Sequence, residues 1–249
     1  MAVSDQSSRT PTRCLHAALD AAAYSTRTSL RQRDLQDRLQ AVLSRAVEAI
    51  GFDLDGLWLQ PQGDGALIRF PAGIDETATV AGLIRELHVE LTTLNSELIP
   101  AAWLRLRLAL HVGLSHGAAM GLAGDAPVAV SRLVNSPQLR DLLKRSEQAP
   151  LVVIAAESVY RDLIVQRFRG LDPDDWVSAD VVDEAKGFAA RAWMTVPGKP
   201  SGPPPPPAVH VPTGTPQGPP TLFGSVESVE KLSVINGPVH IESGGFTIN

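Results

Sequence analysis

Cysteine occurs once in the chain, at Cys14, so no intramolecular disulfide can form and no cysteine-rich zinc site can be assembled. Positive charge is also scarce. The 22 Lys and Arg stand against 27 Asp and Glu, for a net charge of −5, and their scatter argues against a nucleic-acid surface. Arg31, Arg33, Arg38 and Arg45 fall on one expected helix, but Asp and Gln are mixed among them, as on a solvated helix face. No apolar run approaches the ~20 residues needed to span a bilayer. The opening stretch MAVSDQSSRTPTR lacks the apolar core of a signal peptide. The expectation is a soluble, cytoplasmic protein with no nucleic-acid partner and no membrane span.

What is present is an ordinary apolar fraction, 44% of 249 residues, enough for one or two domains. Composition divides the chain into four parts. Residues 1–12 are polar and expected to fray. Residues 13–196 hold all the long periodic segments. From Pro197 to Pro220 there are eleven prolines, five of them at 203–207, so a packed core is excluded there and an extended linker expected. Residues 221–249 turn apolar and alternating again.

Within 13–196 the sequence predicts a strand at 13–20 and a helix over about 30–50, where Leu35, Leu39, Leu43, Val47 and Ile50 recur at helical spacing. A hairpin follows over 54–70. A second helix runs over about 75–98 on Val80, Ile84, Leu87, Leu91 and Leu94. The alternating WLRLRLALHVGL at 103–114 reads as a strand, and 128–145 as a third helix that Pro137 kinks or divides. APLVVIA is a buried strand, ESVYRDLIVQRF a fourth helix, and 190–196 a closing strand. The order β-α-ββ-α-β-α-β-α-β makes an α+β sandwich of the ferredoxin-like type with additions.

The hairpin LQPQGDGALIRF places a carboxylate, Asp64, at a Gly-Asp-Gly tip. Asp and Gly make good turns, which is one reading; a carboxylate held at a rigid tip can also hold a metal ion. Four segments bear on the choice: HAALDAAAYSTR, QGDGALIRF, LRLRLALHVGLSHG and GDAPVAVSRLV. In order and separation they resemble the motifs of the class III nucleotidyl cyclase (adenylate/guanylate cyclase) catalytic domain, over the whole of 13–196. The resemblance implies a cyclase converting a nucleoside triphosphate to a cyclic nucleotide and pyrophosphate, with Mg²⁺ or Mn²⁺. It implies metal-binding carboxylates at Asp20 and Asp64, and a first turn (Ala23, Tyr24, Ser25) that offers amides to phosphate. It further implies a transition-state arginine at Arg132 and a base-reading residue at Gln60. Lys186, in EAKGF, resembles a family Lys-Gly that contacts phosphate; an exposed loop lysine fits the same residues.

Two positions depart from the family pattern. Val128 stands where an Asn orients the ribose, four residues before Arg132, and Ala23 stands where a Gly precedes the aromatic of the first loop. His111 and His116 are read as a strand and a loop histidine rather than a metal pair. The resemblance also implies a homodimer, with metal residues from one subunit and arginine from the other.

The last segment, VEKLSVINGPVHIESGGFTIN, has the alternation of three short strands, which cannot bury a core alone. It loosely resembles the amyloid-like signalling motifs that follow flexible linkers in bacterial effectors, which implies recruitment of a partner or self-assembly. A hairpin docked on the parent domain is the alternative. For the whole chain two expectations stand: an active cyclase signalling through its product, or a catalytically degenerate cyclase-like module that binds nucleotide or protein, with the tail as its output.

Overall fold

A computed structural model describes residues 10–198 and the strand segments 239–242 and 245–248. They belong to two units, Met1–Pro204 and Pro205–Asn249.

The first unit is built on β1 (Thr12–Ala21), β2 (Trp58–Pro61), β3 (Gly65–Arg69), β4 (Leu106–Ala118), β5 (Gly121–Ala123), β6 (Leu151–Ala156), β7 (Val177–Asp183) and β8 (Phe188–Thr195). They form one sheet in the order β2-β3-β1-β4-β6-β8-β7, with β5 paired to β4 off that path. Only β4 and β6 run parallel; the other neighbours are antiparallel.

Two long helices cover one face. In α1 (Ser29–Ala49) the stripe Leu35, Leu39, Val42, Leu43, Ala46 and Val47 is buried, and Gly51 in a left-handed conformation (φ +88) ends the run. In α2 (Glu76–Ser96) Asp75 caps the first turn by accepting the Ala78 N–H. These helices pack on Leu15, Leu19, Leu106, Leu108, Leu110 and their neighbours. On the other face α3 (Asp125–Val134) and α4 (Pro137–Arg145) pack on Ala18, Leu67, Ala109, Val152 and Ile154.

The structure departs from the sequence expectations at particular places. The strand expected from 103 begins at Leu106, because the Asn95 side chain pairs with both the N–H and the C=O of Leu104. The helix expected over 128–145 is divided in two at Pro137, one of the two outcomes expected there. The first starts earlier, at Asp125; the second begins at Pro137, with the Ser136 hydroxyl accepting the Leu139 N–H at 3.4 Å. The helix expected over 157–168 is shorter: α5 (Glu157–Val159) continues as a π turn to Ile164, and Arg167 and Arg169 then adopt φ +56 and +57. Strands β5 and β7 were not expected. Strand β7 lies at the sheet edge with only Val181 buried, and its alternation of Val177, Ala179 and Val181 with Ser178 and Asp180 is short and broken at Val182. His116 is a β4 residue paired opposite Ala123, not a loop residue.

In the second unit β9 (Val239–Glu242) and β10 (Gly245–Ile248) form an antiparallel hairpin, Val239 opposite Ile248 and Ile241 opposite Phe246. The third expected strand, around Leu232 and Val234, and most of the linker lie outside the described residues.

Candidate functional site

Side chains alternate across β1, so the leucines of Leu15 and Leu19 face the long helices while His16, Ala18 and Asp20 face α3 and α4. Asp20 stands near the end of β1, opposite Gly65 on one neighbour and Arg107 on the other. The Asp64 carbonyl accepts the Ala21 N–H at 2.8 Å, which fixes the hairpin tip beside β1. Glycine at 65 permits this approach, since a Cβ there would lie 2.1 Å from the Leu19 carbonyl oxygen. Asp20 and Asp64 therefore sit on adjacent elements, close enough for their charges to act on each other.

The Asp20 carboxylate accepts from the buried Arg107 guanidinium. Burial pushes the Asp20 pKa above the ordinary carboxylate value, and the Asp64 charge adds to this. The Arg107 hydrogen bond and charge act against both, as does the Arg140 charge. As metal ligands, the two carboxylates are a hard oxygen set with few members. Among the described residues no group of three or more His, Cys, Asp and Glu comes together. This suits Mg²⁺ or Mn²⁺ held by one or two carboxylates with water and phosphate completing the shell, and does not suit an all-protein cage.

A larger cleft, about 1000 Å³, opens on the same side of the sheet between β2, α3 and the β7–β8 turn. It brings together Gln60, Arg132 and Lys186, three positions spread over the chain. Gln60 pairs opposite Leu67, so its amide points to the α3 side. A Cβ at Gly121 (φ +131) would approach Gln60 Oε1 to 2.8 Å, so glycine there leaves room for that amide. Arg132 lies in the last turn of α3 with its guanidinium carbon 5.1 Å from the centre of the Phe188 ring. It makes no ion pair among the described residues. Lys186 is exposed in the turn before β8, 3.8 Å from the Asp183 carboxylate. Val128, one turn before Arg132, lines the same wall and is 48% exposed.

The first turn divides. Ala23 is exposed and adopts φ +60, a conformation suited to glycine. Tyr24 packs against the core beneath α1, its hydroxyl accepting from Gln36 Nε2 at 2.9 Å. Ser25 is exposed. Neither Tyr24 nor Ser25 lines the large cleft.

Sequence reasoning missed Arg107 and Arg140. The signal for the first lay in LRLRLAL, where alternation puts Arg105 and Arg107 on one face of a strand whose centre must be buried. A buried arginine there calls for a carboxylate partner. Arg140 carried no comparable signal: Pro137 marks where the helix divides, but not the direction α4 then takes along the sheet.

No protein-family model matches the sequence. No curated protein matches it either. Solved structures do. An adenylate/guanylate cyclase/hydrolase from Silicibacter pomeroyi superposes with a TM-score of 0.54 at 16% identity, covering 76% of this chain and 98% of that one. The guanylyl cyclase Cya2 superposes with a TM-score of 0.52 at 10% identity, covering 75% and 94%. The central unit has the class III nucleotidyl cyclase catalytic-domain fold. Among the described residues no helix is long and apolar enough to cross a membrane.

Proposed function

We propose that the chain is a nucleotidyl cyclase that converts a nucleoside triphosphate to a cyclic nucleotide and pyrophosphate, working as a homodimer in the cytoplasm. The observation that carries this reading is the convergence of Gln60, Arg132 and Lys186 on one cleft of nucleotide size, with Asp20 facing the same side of the sheet and Asp64 near enough for its charge to act on Asp20. In the reaction the ribose 3′-oxygen bonds to the α-phosphorus as the bond to the β-phosphate oxygen breaks. Gln60 both donates and accepts, and holds the base edge. Arg132, stacked on Phe188, presents a guanidinium fork to the charge that grows on the transferring phosphoryl oxygens. Lys186 adds a cation for the phosphates. Asp20 and Asp64 hold the divalent cation, which when bound activates the attacking oxygen and neutralises leaving-group charge. In a homodimer, the carboxylate half of one subunit would meet the Arg132 half of the other.

Two observations favour a second reading, a module that binds nucleotide without turnover. Arg107 already neutralises Asp20, and Val128 cannot hydrogen-bond a ribose. One experiment separates the two. Purified protein is incubated with each nucleoside triphosphate and Mn²⁺ or Mg²⁺, and products are read by mass spectrometry. Cyclic nucleotide and pyrophosphate, both lost in Asp64→Ala with the fold retained, support the cyclase. Nucleotide binding without product supports the module.

A further inference from the structure

On the α1 side of the sheet, away from the large cleft, is a second cavity of about 520 Å³. It lies between α1, the short turn Leu54–Gly56 and the β2–β3 hairpin. Its floor is apolar: Leu39 and Leu43 of α1, Leu57 and Ala66 line it, all buried and all part of the core beneath the long helices. The volume falls in the range of small-ligand sites, about 300–1,000 Å³.

Charge, shape and position define what fits. Asp55 is the sole charged residue that lines the cavity. It is exposed at the rim, and its carboxylate makes no hydrogen bond or ion pair among the described residues. Gln40, also exposed and lining, leaves its amide free in the same way. An apolar floor with one unpaired negative charge at its mouth complements a ligand with an apolar body and one positive charge.

Shape argues for a compact ligand over a strand of peptide. Gln36 Nε2 on α1 donates to the Gly63 carbonyl at 2.8 Å, and both residues line the cavity, so helix and hairpin are bridged there. Pro61, with no N–H to give, blunts the outer edge of β2 against an added strand. Gly63 and Gly65, the neighbours of Asp64, line the cavity as well, so an occupant would touch the hairpin tip from the α1 side.

We propose that this cavity is a binding site for a small organic cation with an apolar body, of the arylalkylamine kind, its ammonium on Asp55 and its ring on the leucine floor. None of the residues assigned to catalysis lines the site, so its occupation and the turnover proposed above stand or fall separately.

The test is calorimetric titration of the full chain with four probes: 3-phenylpropylamine, propylamine, 3-phenylpropionate and the neutral 3-phenylpropanol. The native chain is expected to bind 3-phenylpropylamine saturably at one site per chain. Propylamine, which lacks the ring, should bind on the order of ten-fold more weakly or worse. The carboxylate should bind more weakly than the amine. Asp55→Asn should weaken amine binding by roughly three- to ten-fold, as the loss of one exposed charge-assisted contact, and leave 3-phenylpropanol binding unchanged. That unchanged affinity also shows that the variant keeps its fold. Asp34→Asn, an exposed acid on α1 outside the cavity, should leave amine binding within about two-fold of native. No saturable binding of 3-phenylpropylamine, equal binding of amine and carboxylate, or an equal loss in Asp55→Asn and Asp34→Asn overturns the proposal.

Discussion

The two faces of the sheet are built on different terms. Under α1 and α2 the strands present only apolar side chains, Leu15, Leu19, Leu106, Leu108 and Leu110 among them. Under α3 and α4 the same strands present His16, Arg69, Arg107 and Ser115, all buried, together with Asp20. One face holds the domain together. The other holds buried polar groups and bears their desolvation cost, which is partly offset by pairing Asp20 with Arg107 and His16 Nε2 with Ser115 Oγ at 2.8 Å.

The largest test of that contrast is a pair of substitutions on neighbouring β4 residues. Leu108→Ala should cost about 2–5 kcal/mol, because a cavity opens under α1 and α2 and no second change repairs it. Arg107→Met should cost about 3–5 kcal/mol by leaving Asp20 buried and unpaired, yet adding Asp20→Leu should restore most of that loss. Urea unfolding of the three variants checks both statements. A double variant no better than Arg107→Met would show that the polar face is not held by that pair.

A smaller effect comes from pH. His16 is fully buried, and burial, followed by the His111 charge, lowers its pKa from 6.5 to about 4. Below pH 6.5 the unfolded chain takes up a proton that the folded chain refuses, so stability falls as pH falls and the loss is complete near pH 4. His16 alone should cost about 2 kcal/mol between pH 7 and pH 5. His111 and His88, also lowered chiefly by burial, act in the same direction. Asp20 acts oppositely, since its raised pKa favours proton uptake in the folded state. Unfolding free energies that are equal at pH 7 and pH 5 would contradict the placement of His16.

The smallest effect concerns the first turn. Ala23 at φ +60 carries strain that glycine lacks, so Ala23→Gly should stabilise the domain by up to about 1 kcal/mol, after the entropy of glycine in the unfolded chain is deducted. A lowered melting temperature in that variant would count against a left-handed residue at this turn.

The same contrast governs what could be read from sequence. The apolar face was legible because α1 and α2 write their burial as a 3.6-residue period over six turns each, and β1 and β4 as alternation. Asp20 and Asp64 were legible because each has a local frame, a strand end and a glycine-flanked tip. The cations were less so. Arg107 meets Asp20 across 87 positions of chain, and Arg140 reaches the site through the direction α4 takes after the division expected at Pro137, a direction the local sequence does not carry. Edge strand β7, which sets the wall beside Lys186, hides because its alternation is short: Val177, Ala179 and Val181 against Ser178 and Asp180, broken at Val182, with only Val181 buried. Tyr24 fell within a motif that resembles a phosphate turn, but Gln36 and the core under α1 hold its side chain.

The central claim is that the polar face supplies two half-sites which are completed between subunits. The most direct measurement mixes Asp64→Ala and Arg132→Ala chains under conditions that exchange subunits, and follows cyclic nucleotide formation with Mn²⁺. Each variant alone should lose activity on the order of 100- to 1000-fold, since each homodimer lacks one half of both sites. The mixture should recover up to about a quarter of native activity, because random exchange makes half the dimers mixed and each has one intact site of two. A mixture as inactive as its parents, with subunit exchange demonstrated, would contradict the shared site.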